Sequence, residues 1–314
     1  MSKIVTITFS PCIDKSTSVP SMLPEKKLRC SAPKLDPGGG GINVARAIKK
    51  LGGEAIAIFP SGGYTGKLFN HLLEKENIAS IIIETSNETR ENIIVVDEST
   101  NNQYRFGMPG TELKDQEWKQ FLIQVEKMSD VEFIIASGSL PPGVPLNIYA
   151  QLARIAKKRN AKLFVDTSGE ALKQAVDEGV YLLKPNLAEL SSMVGIKRIE
   201  AGEVEMVAKK LIHEKGGEIV VVSLGSAGAV LVTERQTYSA TPPVVDRKST
   251  VGAGDSMVAG IVYSMSKGWA LEQALQYGVA CGTAATMNAG TDLCNRKDAD
   301  YLYARISQAA GQLS

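Results

Sequence analysis

The segment Thr250-Val251-Gly252-Ala253-Gly254-Asp255-Ser256 combines two glycines with a carboxylate. The apolar residues after it, Met257, Val258, Ile261, Val262 and Met265, recur at helical spacing, so the glycines stand at a helix N-terminus. Amides exposed at such an end favour an anion such as phosphate. The helix dipole also stabilises a carboxylate on the first turn, yet a phosphate bound beside it repels that carboxylate. The conflict is resolved if Asp255 receives a proton, as a general base in phosphoryl transfer to an alcohol. Taken alone, the GxG has a simpler explanation, a turn at Gly252 and Gly254 with Asp255 as a cap.

Other segments supply the parts such a reaction needs. Gly38-Gly39-Gly40-Gly41 runs into Ile42-Asn43-Val44-Ala45-Arg46. Four glycines are costly in conformational entropy, which points to close approach of the backbone to a ligand rather than to a bend. Asn43 is either the N-cap of the helix that follows or an amide turned toward sugar hydroxyls. Lys184-Pro185-Asn186-Leu187-Ala188-Glu189 follows an apolar strand and opens a helix. Asn186 and Glu189 then share one helical face, suited to magnesium through its waters or to a capping box. The stretch Ser223-Leu224-Gly225-Ser226-Ala227-Gly228 either accepts parts of a nucleotide or only turns the chain. The end of a long helical pattern at Ala285-Thr286-Met287-Asn288-Ala289-Gly290 gathers free carbonyls, which cap a helix or coordinate a monovalent cation. A P-loop would need glycine at Ser61 and a hydroxyl at Leu68 around Gly66-Lys67, and a dinucleotide fingerprint would need a small residue at Met257. Both are excluded.

The elements that must position these groups alternate. Short β-branched runs at 4–8, 55–59, 133–136, 163–165 and 219–223 are separated by helical patterns at 43–50, 67–75, 146–159 and 204–213. Such alternation predicts a mainly parallel sheet covered on both faces, with the ligand crevice at the carboxyl ends of its strands. Residues 15–34 and about 89–109 break the pattern with short alternating strands and no helix, and are expected to form a protruding lid, a dimer interface or an edge hairpin. The lid segments carry Lys27, Arg29, Arg90 and Arg105, and Asp14 is expected in the loop after the first strand. Cations on a lid are what an already phosphorylated acceptor requires.

Composition narrows the class. A chain of 314 residues accommodates one large domain with an accessory element. With 35 Lys and Arg against 34 Asp and Glu, a net charge of +1 offers no general field for nucleic acid or an anionic membrane. Cys12, Cys30, Cys281 and Cys294 form no CxxC pair, no signal-peptide cleavage pattern opens the chain, and no apolar run is long enough to span a bilayer. A reduced, cytoplasmic location is expected. The only histidines, His71 and His213, lie in surface helical patterns among charged residues, unlike zinc ligands or triad bases.

In order along nearly the whole chain, Thr8-Phe9-Ser10-Pro11-Cys12-Ile13-Asp14, the 38–46 run, Asn186 with Glu189, and 252–255 resemble the ribokinase-like, or PfkB, family of sugar kinases. The runs Lys26-Lys27-Leu28-Arg29-Cys30, Tyr104-Arg105-Phe106, Gly138-Ser139-Leu140-Pro141-Pro142-Gly143 and Thr291-Asp292-Leu293-Cys294 resemble its bacterial type 2 6-phosphofructokinase branch. The resemblance implies a three-layer α/β/α sandwich with a small β-sheet lid, residues 1–314 forming one kinase domain. It also implies ATP-dependent phosphorylation of fructose 6-phosphate at its 1-hydroxyl. Asp255 would be the base, with the amides of Gly252, Ala253 and Gly254 as anion hole. Asp14, Gly38, Gly39, Asn43, Arg90, Arg105 and Ser139 would hold the sugar phosphate, and Lys27, with Arg29 beside it, would reach into the second subunit of a homodimer joined through the lids. Lys184, Asn186, Ser223, Gly225, Ser226, Gly228 and Thr250 would line the ATP site, with Glu189 organising magnesium. Potassium would be bound by groups matching Ser249, Val251, Ala285, Asn288 and Gly290. Many family members have Asp six residues before the catalytic acid, where Ser249 stands here.

Overall fold

The computed structural model describes residues 3–311. Strand β1 (Lys3–Ile7) is followed by β2 (Cys12–Val19), β3 (Lys34–Gly38), helix α1 (Gly40–Lys50), β4 (Ile56–Ser61), α2 (Gly63–Lys75) and β5 (Ala79–Glu84). Then come β6 (Arg90–Asp97), β7 (Asn102–Phe106), α3 (Asp115–Lys127), β8 (Val131–Ser137), α4 (Ile148–Lys158) and β9 (Lys162–Asp166). Helix α5 (Gly169–Glu178), β10 (Leu182–Leu183), α6 (Leu187–Val194), α7 (Val204–Lys215) and β11 (Ile219–Ser223) complete the alternation. A hairpin of β12 (Ala229–Val232) and β13 (Thr237–Ala240) precedes α8 (Ala253–Ser266), α9 (Leu271–Thr286) and α10 (Arg296–Gly311).

Nine strands form the main sheet in the order β13-β12-β11-β10-β9-β8-β1-β4-β5. All neighbours from β11 to β5 are parallel, while β12 and β13 add antiparallel at one edge. The period-2 geometry of a strand sends alternate residues into different cores. In β8, Ile134 and Ala136 face a core with α3, α4, α5, α6 and α7, whereas Phe133 and Ile135 face one with α1, α8, α9 and α10. Helices therefore cover both faces, and the expected three-layer arrangement is what the chain adopts.

A separate four-stranded sheet has the order β3-β2-β6-β7. Its strands pair with one another and not with the main sheet, which rules out an edge hairpin. The boundaries differ from the expected 15–34. Asp14 lies inside β2 rather than in a loop, residues 20–33 contain no strand, and β3 extends to Gly38. Pro20, Pro24 and Pro33 explain the gap, since each lacks the amide that a ladder needs. This sheet is rooted in a third core, where Ile13 packs with Ile42, Phe59, Phe69 and Leu73.

Candidate active site

Helix α8 begins where the glycines place it. Gly252 is its N-cap with φ 72°, a left-handed conformation that favours glycine. Of the first-turn amides of α8, which have no acceptor within the helix, that of Ala253 donates to the Thr250 carbonyl at 3.5 Å, and Ala253 and Gly254 line the neighbouring cavity. Asp255, on that first turn, accepts a hydrogen bond from Asn43 Nδ2 at 2.9 Å through Oδ2. Burial and the charge of Asp166 push its carboxyl up to about 6, more than the Asn43 bond and Lys184 pull it down. A carboxylate with that value is ionised at neutral pH and still basic enough to accept a proton, as a general base must.

Asn43 resolves an open alternative. It does not cap α1, because the helix starts at Gly40 with Gly39 as its cap, and the amide points instead at Asp255. The reason is Gly39, whose φ of 118° cannot continue a helix and moves the start back toward the glycines. The glycines are also packed closely against the protein itself. A Cβ on Gly38 would meet Asp14 Oδ2 at 2.4 Å, on Gly40 Ser137 Oγ at 2.3 Å, and on Gly41 the Ile7 carbonyl at 2.6 Å. On the Cβ side, what comes close to the run is the protein's own β1, β2 and β8.

Lys184 is 9% exposed, and its Nζ lies 3.2 Å from Asp166 Oδ1 and against Gly254. Burial would lower its ammonium, but Asp166, Asp255 and Glu189 outweigh that and hold it above its ordinary value. A buried cation beside the positive end of α8 is an arrangement that an incoming polyphosphate would relieve. Asp166 was missed in the sequence. It ends β9, and only the adjacency of β9 and β10 in the sheet brings it to Lys184.

Beside α8 a cavity of about 560 Å³ is lined by Ser223, Gly225, Ser226, Gly228, Val244, Thr250 and Gly254 among others. The 225–227 segment is a short helical turn between β11 and β12, so it turns the chain and also lines this cavity. Asn186 and Glu189 form the capping box: Glu189 N donates to Asn186 Oδ1 at 2.9 Å and Asn186 N to Glu189 Oε2 at 2.8 Å. Glu189 Oε1 has no hydrogen-bond partner among the described residues.

Around β2 and β6, Asp14 Oδ1 accepts from Asn92 Nδ2 at 3.0 Å, while Arg90 donates to the carbonyls of Met108 and Ser10 at 2.7 and 3.1 Å. Arg90 Nε is buried without a partner among the described residues. Ser139 is exposed just past β8, next to Gly138. Lys27 and Arg29 lie on the exposed 20–33 segment with no ion pair among the described residues, and Arg105 stays on β7, bonded to Gln103. The structure thus gathers Asp14, Gly38, Gly39, Asn43 and Asp255, while Lys27, Arg29 and Arg105 remain on the surface of the 20–33 segment and the small sheet.

Behind α8, Ser249 Oγ donates to the Gly290 carbonyl at 2.7 Å and accepts from Val251 N at 3.2 Å. The amides of Lys248 and Ser249 both donate to the Thr286 carbonyl, and Asn288 N donates to that of Ala285. The five expected cation ligands are therefore in one neighbourhood, with the Ser249 hydroxyl joining its two sides.

The family model of pfkB carbohydrate kinases matches residues 4–298. ATP-dependent 6-phosphofructokinase isozyme 2 of Escherichia coli is 43% identical over 309 residues, covering 98% of this chain and 100% of that protein. The 1-phosphofructokinase of Bacillus subtilis is 33% identical over 285 residues, covering 91% and 93%. Among solved structures, phosphofructokinase-2 from Escherichia coli in complex with potassium superposes with a TM-score of 0.94 at 44% identity, covering 98% of this chain and 100% of that one. At 20% identity, ribokinase of Arabidopsis thaliana shares the fold, with a TM-score of 0.78 and coverage of 96% and 99%.

Proposed function

This chain belongs to the pfkB family of carbohydrate kinases, and from that membership we propose that it transfers the γ-phosphoryl group of ATP to the 1-hydroxyl of fructose 6-phosphate. The observation that carries this is Asp255, a carboxyl raised to about 6 at an anion-binding helix start. Asn43 occupies Oδ2, which leaves Oδ1 to take the hydroxyl proton as the sugar oxygen bonds to phosphorus and ADP departs. The amides of 252–254 and the Lys184 ammonium offset charge on the phosphoryl oxygens. Asp14, Gly39, Asn43, Ser139 and Arg90 would orient the sugar. The preference for fructose 6-phosphate follows the 43% relative over the 33% 1-phosphofructokinase.

Magnesium, bound with the nucleotide, would neutralise phosphate charge. The uncommitted Glu189 Oε1 beside Asn186 fits a cation held through water. Potassium would fit the neutral oxygens near Ser249, Val251, Ala285, Asn288 and Gly290 and would support the turn before α8. We assign the whole chain to one kinase domain and the small sheet to its lid. Leu23, Ile93, Tyr104, Phe106 and Met108 are exposed apolar residues of that lid, which supports a homodimer in which each lid covers the other and brings Lys27 and Arg29 to the partner's sugar phosphate. Four free cysteines and dependence on ATP support a cytoplasmic location.

The test is ADP release with ATP and magnesium over a panel of phosphorylated ketohexoses, with potassium or sodium. The highest kcat/KM is expected with fructose 6-phosphate. A higher value with tagatose 6-phosphate or fructose 1-phosphate reassigns the substrate, and no turnover with any of them leaves only a nucleotide- or sugar-binding protein.

A further inference from the structure

Thr291-Asp292 and β3 are far apart in sequence and joined in space. Asp36 of β3 is 5% exposed, and its Oδ2 accepts from Thr291 Oγ1 at 2.8 Å and lies 3.2 Å from Lys34 Nζ. Lys34 Nζ in turn donates to Asp292 Oδ1 at 2.8 Å. Arg46 of α1, 3% exposed, closes the network: Nε and one terminal nitrogen grip Glu76 at 2.7 and 2.6 Å, the other donates to the Pro37 carbonyl, and Asp36 lies 3.8 Å away. Burial would lower the Lys34 ammonium, yet Asp292 and Asp36 hold it above its ordinary value.

Each end of this network leads to a different substrate. Asp36 is opposite Asp14 in the β2–β3 ladder, and β3 ends at Gly38, which leads through Gly39 into α1 and Asn43. Thr291 adjoins Gly290, whose carbonyl accepts from Ser249 just before the α8 turn. We propose that Asp36 and Thr291 are positioning residues that tie the sugar-side strand β3 to the loop behind the anion hole, so that binding of either substrate tightens the other. The physical ground is that phosphoryl transfer depends on the spacing between acceptor hydroxyl and phosphate, and misplacement by about 1 Å costs on the order of 10²-fold. The inference rests on the sugar-kinase reading.

The experiment titrates fructose 6-phosphate calorimetrically with and without a non-hydrolysable ATP analogue and magnesium, in wild type, Thr291→Val and Thr291→Ser. Wild type is expected to bind the sugar phosphate at least about 5-fold tighter when the analogue is present, within the usual range of coupling. In Thr291→Val that factor falls toward one and kcat drops about 10-fold, while each Kd measured alone stays within about 2-fold. Thr291→Ser, which keeps the hydroxyl, restores both. Independent binding in wild type, or wild-type coupling and kcat in Thr291→Val, overturns the proposal. If Thr291→Val fails to fold by circular dichroism, Lys34→Met at the half-exposed end of the network decides: reduced coupling supports the proposal and unchanged coupling overturns it. Wild-type turnover checks the substrate separately. If another ketohexose phosphate is used faster, the titrations are run with that compound, and absence of turnover with all of them removes the sugar-kinase reading and this proposal together.

Discussion

Asp255 is ionised in a place that disfavours its charge, and this ties activity to stability. Its folded value of about 6 exceeds the ordinary 3.8, so the native state binds the proton more tightly than the unfolded chain does. Its contribution to stability is greatest below about pH 4, falls as pH rises to about 6, and stays low above that. Asp255→Asn keeps the shape and removes the charge. It is expected to lower kcat by about 10²- to 10⁴-fold, the contribution of a general base. It should also raise the unfolding free energy at pH 7.5 by up to about 3 kcal/mol, with little change at pH 4. Thermal melts of both proteins across that range check the second outcome, and an equal difference at both pH values would detach the raised carboxyl from the cost. In the wild type, kcat/KM should fall about tenfold per pH unit below about 6, as the base becomes protonated. Asp255 was legible because glycine, acid and helical periodicity are neighbours in sequence. Asp166 was not: no local motif marks a strand-end acid whose partner arrives from the adjacent strand.

Elements were legible to the extent that their signals are local. The alternation of apolar runs and helical patterns specified the layered sheet, because a strand buried on both faces reads as a continuous apolar run. The glycine run was recognised as a close approach, but not that β1, β2 and β8 crowd it, since sequence cannot say which backbone passes nearby. Ser137 Oγ and Gly138 N crowd Gly40 within 2.3 and 2.8 Å of where a Cβ would stand. Gly40→Ala is therefore expected to destabilise by about 1–3 kcal/mol in denaturant titration, as overpacking does, and to lower kcat by moving Asn43. The small sheet was legible as an exposed element, but its edges were misplaced by the prolines of 20–33. Its exposed face places Ile93 opposite Phe106, with Tyr104 two residues along. An exposed apolar patch of that kind calls for a partner. Phe106→Asp should shift the protein toward monomer in sedimentation equilibrium at micromolar concentration, with the secondary structure of the main sheet retained.

At the scale of the whole molecule, the two large cores lie on either side of the main sheet, and the small sheet has only its root in a shared core, through Ile13 and the part-buried Leu35. Its outer strands therefore depend on what covers them. Local opening follows the density of buried contacts, so β7, at the edge and largely exposed, should open far more readily than β1 or β8 at the centre. A second copy that binds only the closed form adds stability by mass action. Hydrogen exchange followed by mass spectrometry at two widely separated protein concentrations separates these contributions. Exchange in 102–106 should slow at the higher concentration and slow further with the sugar phosphate, whereas β1 and β8 should not change. In Phe106→Asp the concentration dependence should disappear while protection of β1 and β8 persists. If β7 exchanges at the same rate at both concentrations in wild type, the small sheet is not the surface through which two copies meet, and the assignment of Lys27 and Arg29 to a partner's sugar phosphate falls.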